Sequence, residues 1–266
     1  MFFSIELLFF LVCIISELLK DMQYSIAVLA GGKSQRFGSN KALFKVGGKP
    51  LITRFLLEIP KIHANPRLTY LSLRNRTQWE EILHALERDL TVTPSEVEDG
   101  VYHLTSSELQ KPLTIRVVFD IDHNEAIGDR AAIFGFSSIF GVSRVGFIQF
   151  VPCDMPYFNA SVIDKIYTFC ESRNWLFDAV IPRWENGFIE PLNGVYRVEK
   201  LAPITQGNIK LGHLSLRDLI TRDVKQASFP IEKELSAIDP NFIAFQNLNQ
   251  KPTEDFYSNQ KAERSL

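Results

Sequence analysis

An apolar segment near the beginning of the chain ends in two adjacent glycines and a group of cations. Residues 24–30 form a continuous apolar run, which is typical of a strand buried on both faces of a parallel sheet. Gly31 and Gly32 follow directly, and three cations come within ten residues: Lys33, Arg36 and Lys41. A plain turn needs glycines but no cations, whereas a phosphate site needs small residues, free N–H groups and positive charge close together. The sequence therefore predicts a phosphate-binding loop at the end of a strand.

Segments typical of strands and of helices alternate along the rest of the chain. Further strands are predicted at residues 68–73, 115–119 and 146–151, and in the later segments FDAVIP, LNGVYR and NFIAFQ. Helices are predicted after Pro50, from Thr77 as a candidate N-cap, and after Asn159 as a second candidate N-cap. This alternation predicts one domain built on a doubly wound, mostly parallel α/β sheet.

Residues 91–114 interrupt the alternation. The segment is polar and contains two prolines, so it matches neither the helical nor the buried-strand pattern of its neighbours. We interpret it as an inserted loop or hairpin within the domain.

Composition excludes some classes of partner and suggests a compartment. Lys and Arg together number 29 against 31 Asp and Glu, so no large basic field is present and we expect no nucleic-acid partner. The three cysteines form no CxxC pair and no zinc-type spacing with histidine. A reducing, cytoplasmic location fits this usage best.

The first 21 residues are strongly apolar, but Glu6 and Glu17 interrupt them. The uncharged run is shorter than the roughly 20 residues that a spanning helix needs, and no basic flank or cleavage site marks a secretory signal. Three alternatives stay open: dispensable upstream sequence, which we favour, a membrane contact through residues 1–19, or a helix packed on the domain. We expect the domain itself to occupy residues 22–258, followed by a short tail at 259–266.

The glycine-rich segment resembles the LAGGxSxRxGxxK signature of the MobA-like nucleotidyltransferases, which include the molybdenum cofactor guanylyltransferases. The matching positions are Leu29, Ala30, Gly31, Gly32, Ser34, Arg36, Gly38 and Lys41. The resemblance implies a Rossmann-like nucleotidyltransferase fold in which Leu29, Ala30 and the two glycines seat a nucleotide. It also implies that Arg36 and Lys41 bind the triphosphate, and it extends over roughly residues 24–257.

A second segment, "FVPCDMPYF", resembles the CDMP motif of the same family. The resemblance implies that Asp154 is catalytic and holds Mg²⁺; the alternative is that Asp154 only organises a turn. One carboxylate suffices for this metal, because Mg²⁺ keeps water ligands and takes others from phosphates.

Two further polar residues follow predicted strands. Asn75 and Asp120 fall where the family places nucleotide-contacting residues, and Asp122 is an alternative to Asp120. Each could equally cap a strand-end loop. The sequence departs from the family pattern at Asp129, where a proline is usual, and at Ala132, where a glycine is usual. These departures leave the substrate and the turnover open.

The activity that the resemblance implies is transfer of GMP from GTP to molybdenum–molybdopterin. The acceptor phosphate is largely ionised at neutral pH, since its second pKa is about 6, so we nominate no general base. Two alternatives remain: a related transferase that uses CTP or a sugar phosphate, and a nucleotide-binding regulatory protein with weakened catalysis. The oligomeric state stays open.

Overall fold

The computed structural model describes residues 24–31, 40–120, 132–143, 146–157 and 159–248. Its strands are β1 Tyr24–Leu29, β2 Lys45–Val46, β3 Lys49–Pro50, β4 Thr69–Leu73, β5 Thr91–Pro94, β6 Val101–Thr105, β7 Leu113–Phe119, β8 Phe147–Pro152, β9 Ala179–Arg183, β10 Val195–Arg197 and β11 Gln226–Pro230. Its α-helices are α1 Leu51–Glu58, α2 Arg76–Leu86, α3 Ala132–Val142, α4 Ala160–Glu171, α5 Val198–Leu211 and α6 Ile231–Leu235.

Nine strands form the main sheet in the order β11-β9-β10-β8-β1-β4-β7-β6-β5, and β2 pairs with β3 in a separate hairpin. The four central strands β8, β1, β4 and β7 are parallel. The chain leaves β1 toward β4 and β7, and later returns to the other side of β1 with β8. This reversal beside β1 is the position at which open α/β sheets bind ligands, just outside the carboxyl ends of the strands.

Helices cover both faces of the sheet, as the predicted doubly wound architecture requires. The two core clusters divide them: α1, α2, α4 and α6 pack on one face, and α3 and α5 pack on the other. Ile26 and Val28 of β1 point to the first face, while Ala27 between them points to the second, and all three are buried. The continuous apolar run of β1 is therefore explained by burial on both sides.

Residues 91–114 form the predicted hairpin. β5 and β6 are antiparallel, and β6 pairs antiparallel with β7, so the insertion lengthens the sheet at one edge. Its tip is exposed at Val97. The insertion thus lies beyond the edge of the parallel core.

Several sequence predictions were wrong in detail. The N-cap of α2 is Asn75 rather than Thr77, since the Asn75 side chain accepts a hydrogen bond from the Gln78 N–H. The segment NFIAFQ is not a strand but contains a 3₁₀ turn at Ile243–Phe245. The carboxylate of Asp239 accepts hydrogen bonds from the N–H groups of Ile243 and Ala244, and this local bonding replaces a strand ladder.

The sequence patterns did not predict β2, β3, β11, α3, α5 or α6, and for α3 and β11 the reason can be identified. Helix α3 is buried on almost every side, so its sequence lacks the polar stripe by which a surface helix is recognised. Strand β11 lies at the sheet edge, mixes polar and apolar residues and ends in a proline. No helix in the described ranges is both long and apolar enough to cross a bilayer. The predictions for residues 1–21 and for the tail at 259–266 lie outside the described residues.

Candidate nucleotide-binding site

A cleft of about 200 Å³ opens at the carboxyl ends of the central strands. It is lined by Leu29, Ala30, Gly31, Lys41, Ala42, Ser72, Asp120, Ala132, Gly135, Pro152, Cys153, Asp154 and Leu192. Because β1, β4, β7 and β8 are parallel, the residues that follow them meet at one edge of the sheet. Side chains far apart in sequence are therefore gathered around the end of β1.

One side of the cleft carries an ion pair. Lys41 Nζ donates a hydrogen bond to Asp154 Oδ2 at 2.7 Å, and both side chains are partly shielded from solvent. Lys41 begins a 3₁₀ turn that Asn40 caps through the N–H of Ala42. Asp154 follows β8, and its carbonyl accepts a hydrogen bond from the Leu248 N–H at 2.9 Å. Both charged groups are thus held by their own local backbone.

The second oxygen of Asp154 is available for a further ligand. Asp154 Oδ1 is buried and has no hydrogen-bond partner in the part of the chain that the structure describes. A buried carboxylate oxygen is normally hydrogen-bonded or bound to a cation. Hard cations such as Mg²⁺ prefer oxygen ligands, so Asp154 is suited to hold one. Over the same described residues, no group of three or more His, Cys, Asp or Glu side chains converges as a metal cluster.

The other side of the cleft carries a second carboxylate with a neutral partner. Ser72 Oγ at the end of β4 donates a hydrogen bond to Asp120 Oδ1 at 2.6 Å. Asp120 Oδ2 lies over Gly31, where it occupies the position that a Cβ atom would take. This close approach explains why the first glycine of the loop cannot be replaced by a larger residue without moving Asp120.

Helix α3 approaches the same corner through a glycine. A Cβ added to Gly135 would come within 2.9 Å of Ser72 Oγ and 3.0 Å of a Leu29 methyl carbon. The helix is fixed on the sheet by Phe136, whose ring stacks on Phe150 with centroids 3.7 Å apart. Ala132, at the start of α3, is exposed at the wall of the cleft. The departure from glycine at this position therefore places a methyl group on that wall.

Asn75 has a structural role in the described residues. Its side chain caps α2, and it does not line the cleft. Its contact with a nucleotide stays a prediction. Gln78, three residues later, was not singled out from the sequence. It is buried and connects the end of β1 to the beginning of α2 through its side-chain amide.

The other titratable groups of the described cleft do not suit proton transfer. Burial raises the pKa of the Cys153 thiol to about 12, so it stays protonated at neutral pH. No histidine is among the described residues that line the cleft. Among the described lining residues, neither this thiol nor any imidazole is therefore available for general acid–base catalysis.

The structure brings together most of the residues that the sequence nominated. Leu29, Ala30, Gly31, Lys41, Asp120 and Asp154 all line the cleft. Gly32, Arg36, Asp122 and Asp129 lie outside the described residues. Sequence reasoning missed Ser72, Gln78, Gly135 and Leu192. A signal existed only for Gln78, since Asn75-x-x-Gln78 is the spacing of a capping box.

A cleft at the topological reversal of an α/β sheet, whose described lining holds a glycine-ended strand, one ammonium and two carboxylates, is typical of nucleotide-binding proteins of the doubly wound class. The family model of the MobA-like NTP transferase domain matches residues 26–227. The chain therefore belongs to the MobA-like NTP transferase family, and is a nucleotidyltransferase by family.

Curated relatives and a solved structure agree with this assignment. A probable molybdenum cofactor guanylyltransferase from Pyrococcus horikoshii is 31% identical over 212 residues, which cover 80% of this chain and 88% of the relative. A protein of the same name from Thermococcus sibiricus is 28% identical over 225 residues, or 83% and 85% of the two chains. The crystal structure of molybdopterin-guanine dinucleotide biosynthesis protein A from Archaeoglobus fulgidus superposes with a TM-score of 0.62. The two chains are 21% identical, and the superposition covers 91% of this chain and 98% of the Archaeoglobus fulgidus chain, so the likeness supports the fold.

Proposed function

We propose that this protein transfers GMP from GTP to a molybdenum–molybdopterin phosphate and so forms a guanine dinucleotide cofactor. The observation that carries the proposal is the pairing of Lys41 with Asp154 at 2.7 Å in a cleft bordered by Gly31. The curated relatives carry the name of this activity.

The charge of the cleft argues for a cation that accompanies the nucleotide. The described lining holds one ammonium, on Lys41, and two carboxylates, on Asp120 and Asp154. This lining is negative overall, so a triphosphate needs additional positive charge in order to bind. Arg36 supplies one such charge in the proposal, and a divalent cation at Asp154 supplies the rest.

We propose Mg²⁺ as that cation, held by Asp154 through Oδ1, which has no hydrogen-bond partner among the described residues. When bound, Mg²⁺ neutralises charge on the phosphate oxygens and keeps water in its remaining positions. Lys41 then binds the triphosphate, since the ammonium is a mobile donor at the end of a flexible stem. Asp120, held by Ser72, orients the nucleotide through a hydrogen bond that its carboxylate accepts.

The proposed reaction is an in-line substitution at phosphorus. An oxygen of the acceptor phosphate forms a bond to the α-phosphorus of GTP, and the bond from that phosphorus to the bridging oxygen breaks. Pyrophosphate leaves with the electron pair of the broken bond. Because the acceptor oxygen is already ionised, the protein contributes by positioning the reactants and by compensating their charge.

Isothermal titration with GTP and with CTP, each with Mg²⁺, tests the nucleotide part of the proposal. We expect GTP to bind about tenfold or more tightly than CTP, a difference of about 1.4 kcal/mol. A pyrophosphate-release assay with a molybdopterin acceptor then tests the transfer. Release with CTP in place of GTP would assign a neighbouring activity, and nucleotide binding without release would assign a regulatory protein.

A further inference from the structure

Gln78 connects three segments of the chain beside the nucleotide cleft. Its Oε1 accepts a hydrogen bond from the Arg74 N–H at 2.7 Å, just after β4. Its Nε2 donates to the Ala30 carbonyl at 2.8 Å, just after β1, and to Asn40 Oδ1 at 3.4 Å. Ala30 and Asn40 flank the segment that carries the signature glycines and Arg36, and Lys41 follows Asn40 directly. One side chain therefore links both flanks of that segment to the end of β4.

The partners determine which way the amide points. The Ala30 carbonyl can only accept a hydrogen bond, and the Arg74 N–H can only donate one. An uncharged amide donates from its nitrogen and accepts at its oxygen, which matches both partners. Gln78 is also 1% exposed, so its polar atoms cannot exchange these partners for water.

The position of Gln78 in α2 explains the hydrogen bond that its Oε1 accepts. Asn75 is the N-cap and Gln78 stands three residues later, where a Glu or Gln usually folds back to accept a backbone N–H in a capping box. Here the accepted N–H is that of Arg74, one residue before the cap. A glutamate would serve that purpose equally and would suit the positive end of the helix. The donor half of the amide, which a glutamate lacks, is used only toward Ala30 and Asn40.

We infer that Gln78 is a positioning residue for the nucleotide site, because it fixes the two flanks of the signature segment against the end of β4. The inference rests on the proposed function, since it assumes that this segment binds the triphosphate. Ala30 lines the cleft, and its N–H is already bound to the Ser72 carbonyl at 2.9 Å. Gln78 thus completes the hydrogen bonding of the residue at which β1 turns into the site.

The substitution Gln78→Glu separates the hydrogen bond that the side chain accepts from those that it donates. It keeps the acceptor for Arg74 but sets a carboxylate oxygen against the Ala30 carbonyl. We expect folding to be retained, with a midpoint temperature within a few degrees of the parent. We also expect faster hydrogen–deuterium exchange in peptides covering residues 27–31 and 40–44, about tenfold weaker binding of GTP with Mg²⁺, and a higher KM for GTP with an unchanged KM for the acceptor.

Thr77→Glu is the matched control, because Thr77 is exposed on the same helical turn and the change adds a negative charge without removing an amide. Gln78→Met, which is uncharged and similar in length, replaces the glutamate variant if that variant does not fold. Unchanged exchange in a folded Gln78 variant would overturn the inference, as would equal effects of Thr77→Glu. Faster exchange with full GTP affinity would also overturn it and leave Gln78 merely structural. If the parent binds no nucleoside triphosphate, the proposed function fails, and exchange alone decides whether Gln78 fixes the flanks.

Discussion

The two carboxylates of the cleft follow two strands of the parallel centre of the sheet, β8 and β7, yet their surroundings differ. Asp154 shares one oxygen with the Lys41 ammonium, and its other oxygen has no hydrogen-bond partner within the described ranges. Asp120 accepts a hydrogen bond from the neutral Ser72 hydroxyl and is crowded by the backbone at Gly31. Within the described residues, Asp154 therefore has a charged partner and one oxygen without a hydrogen bond, while Asp120 is oriented by the neutral hydroxyl of Ser72.

The two surroundings suit the two carboxylates to different tasks within one cleft. A carboxylate that already faces a cation can accept another when a metal–nucleotide complex arrives. A carboxylate fixed by a hydroxyl keeps its direction and can accept a hydrogen bond from a bound nucleotide. We accordingly expect changes at Asp154 to act on metal dependence, and changes around Asp120 to act on nucleotide affinity.

The largest expected effect is that of Asp154→Asn. The amide keeps the size of the side chain but removes the charge that a divalent cation requires, so transfer should fall on the order of 10³-fold. The loss of transfer is measured as pyrophosphate release over a range of Mg²⁺ concentrations. Excess Mg²⁺ should restore only part of the rate. Asp223→Asn, at an exposed position outside the cleft, is the control. A parental dependence on Mg²⁺ in the Asp154 variant would contradict the assignment.

Lys41→Met should have the second largest effect. Transfer should fall about 10²-fold, because a charge contact to the triphosphate is lost. In the absence of nucleotide, affinity for a divalent cation should instead rise, since the competing ammonium is removed from Asp154. Titration with Mn²⁺ and the release assay report the two effects separately. Lys45→Met, at an exposed residue of β2, is the control and should change neither transfer nor metal affinity. Weaker metal binding in the Lys41 variant would show that the ammonium does not compete with the metal for Asp154.

Gly135→Ala should disturb the side of the cleft that holds Asp120 and Ser72, and not the side that holds Asp154. The added methyl would meet Ser72 Oγ and Leu29, which destabilises the fold by about 1–3 kcal/mol and weakens nucleotide binding about tenfold. Gly141→Ala, on the same helix, meets nothing within 4 Å and should be neutral or stabilising by about 0.5–1 kcal/mol. Thermal unfolding and GTP titration of the pair measure the contrast. Equal behaviour of the two alanines would mean that α3 does not shape the cleft.

Ser72→Ala should have the smallest effect. It removes the hydroxyl that directs Asp120, which weakens GTP affinity about fivefold, or by about 1 kcal/mol. Dependence on Mg²⁺ should stay at the parental level, because Asp154 is untouched. Ser138→Ala removes a buried hydroxyl bound to a carbonyl of α3 and serves as the control. A changed Mg²⁺ dependence in the Ser72 variant would mean that Asp120 and Asp154 do not have separate tasks.

Much of this arrangement was predictable from the sequence, and the limits have physical causes. The apolar run of β1 and the polar residues after β7 and β8 mark buried parallel strands and their ends, so the sheet and the gathering of Asp120 and Asp154 follow from pattern. The bonding of Ser72 to Asp120 depends on strand register, which no local pattern specifies. The tight packing of Gly135 likewise depends on how α3 lies on the sheet, and its apolar sequence gave no periodicity to predict the helix.

The division of tasks is tested most directly by measuring how Mn²⁺ binds to the Asp154→Asn and Asp120→Asn variants in the presence of GTP. Electron paramagnetic resonance detects the bound Mn²⁺. We predict that the Asp154 variant loses at least tenfold in Mn²⁺ affinity at saturating GTP. The Asp120 variant should bind Mn²⁺ as the parent does once GTP is saturating, but should need about tenfold more GTP to reach saturation. Equal losses of Mn²⁺ affinity in both variants, or a loss confined to Asp120→Asn, would contradict the account.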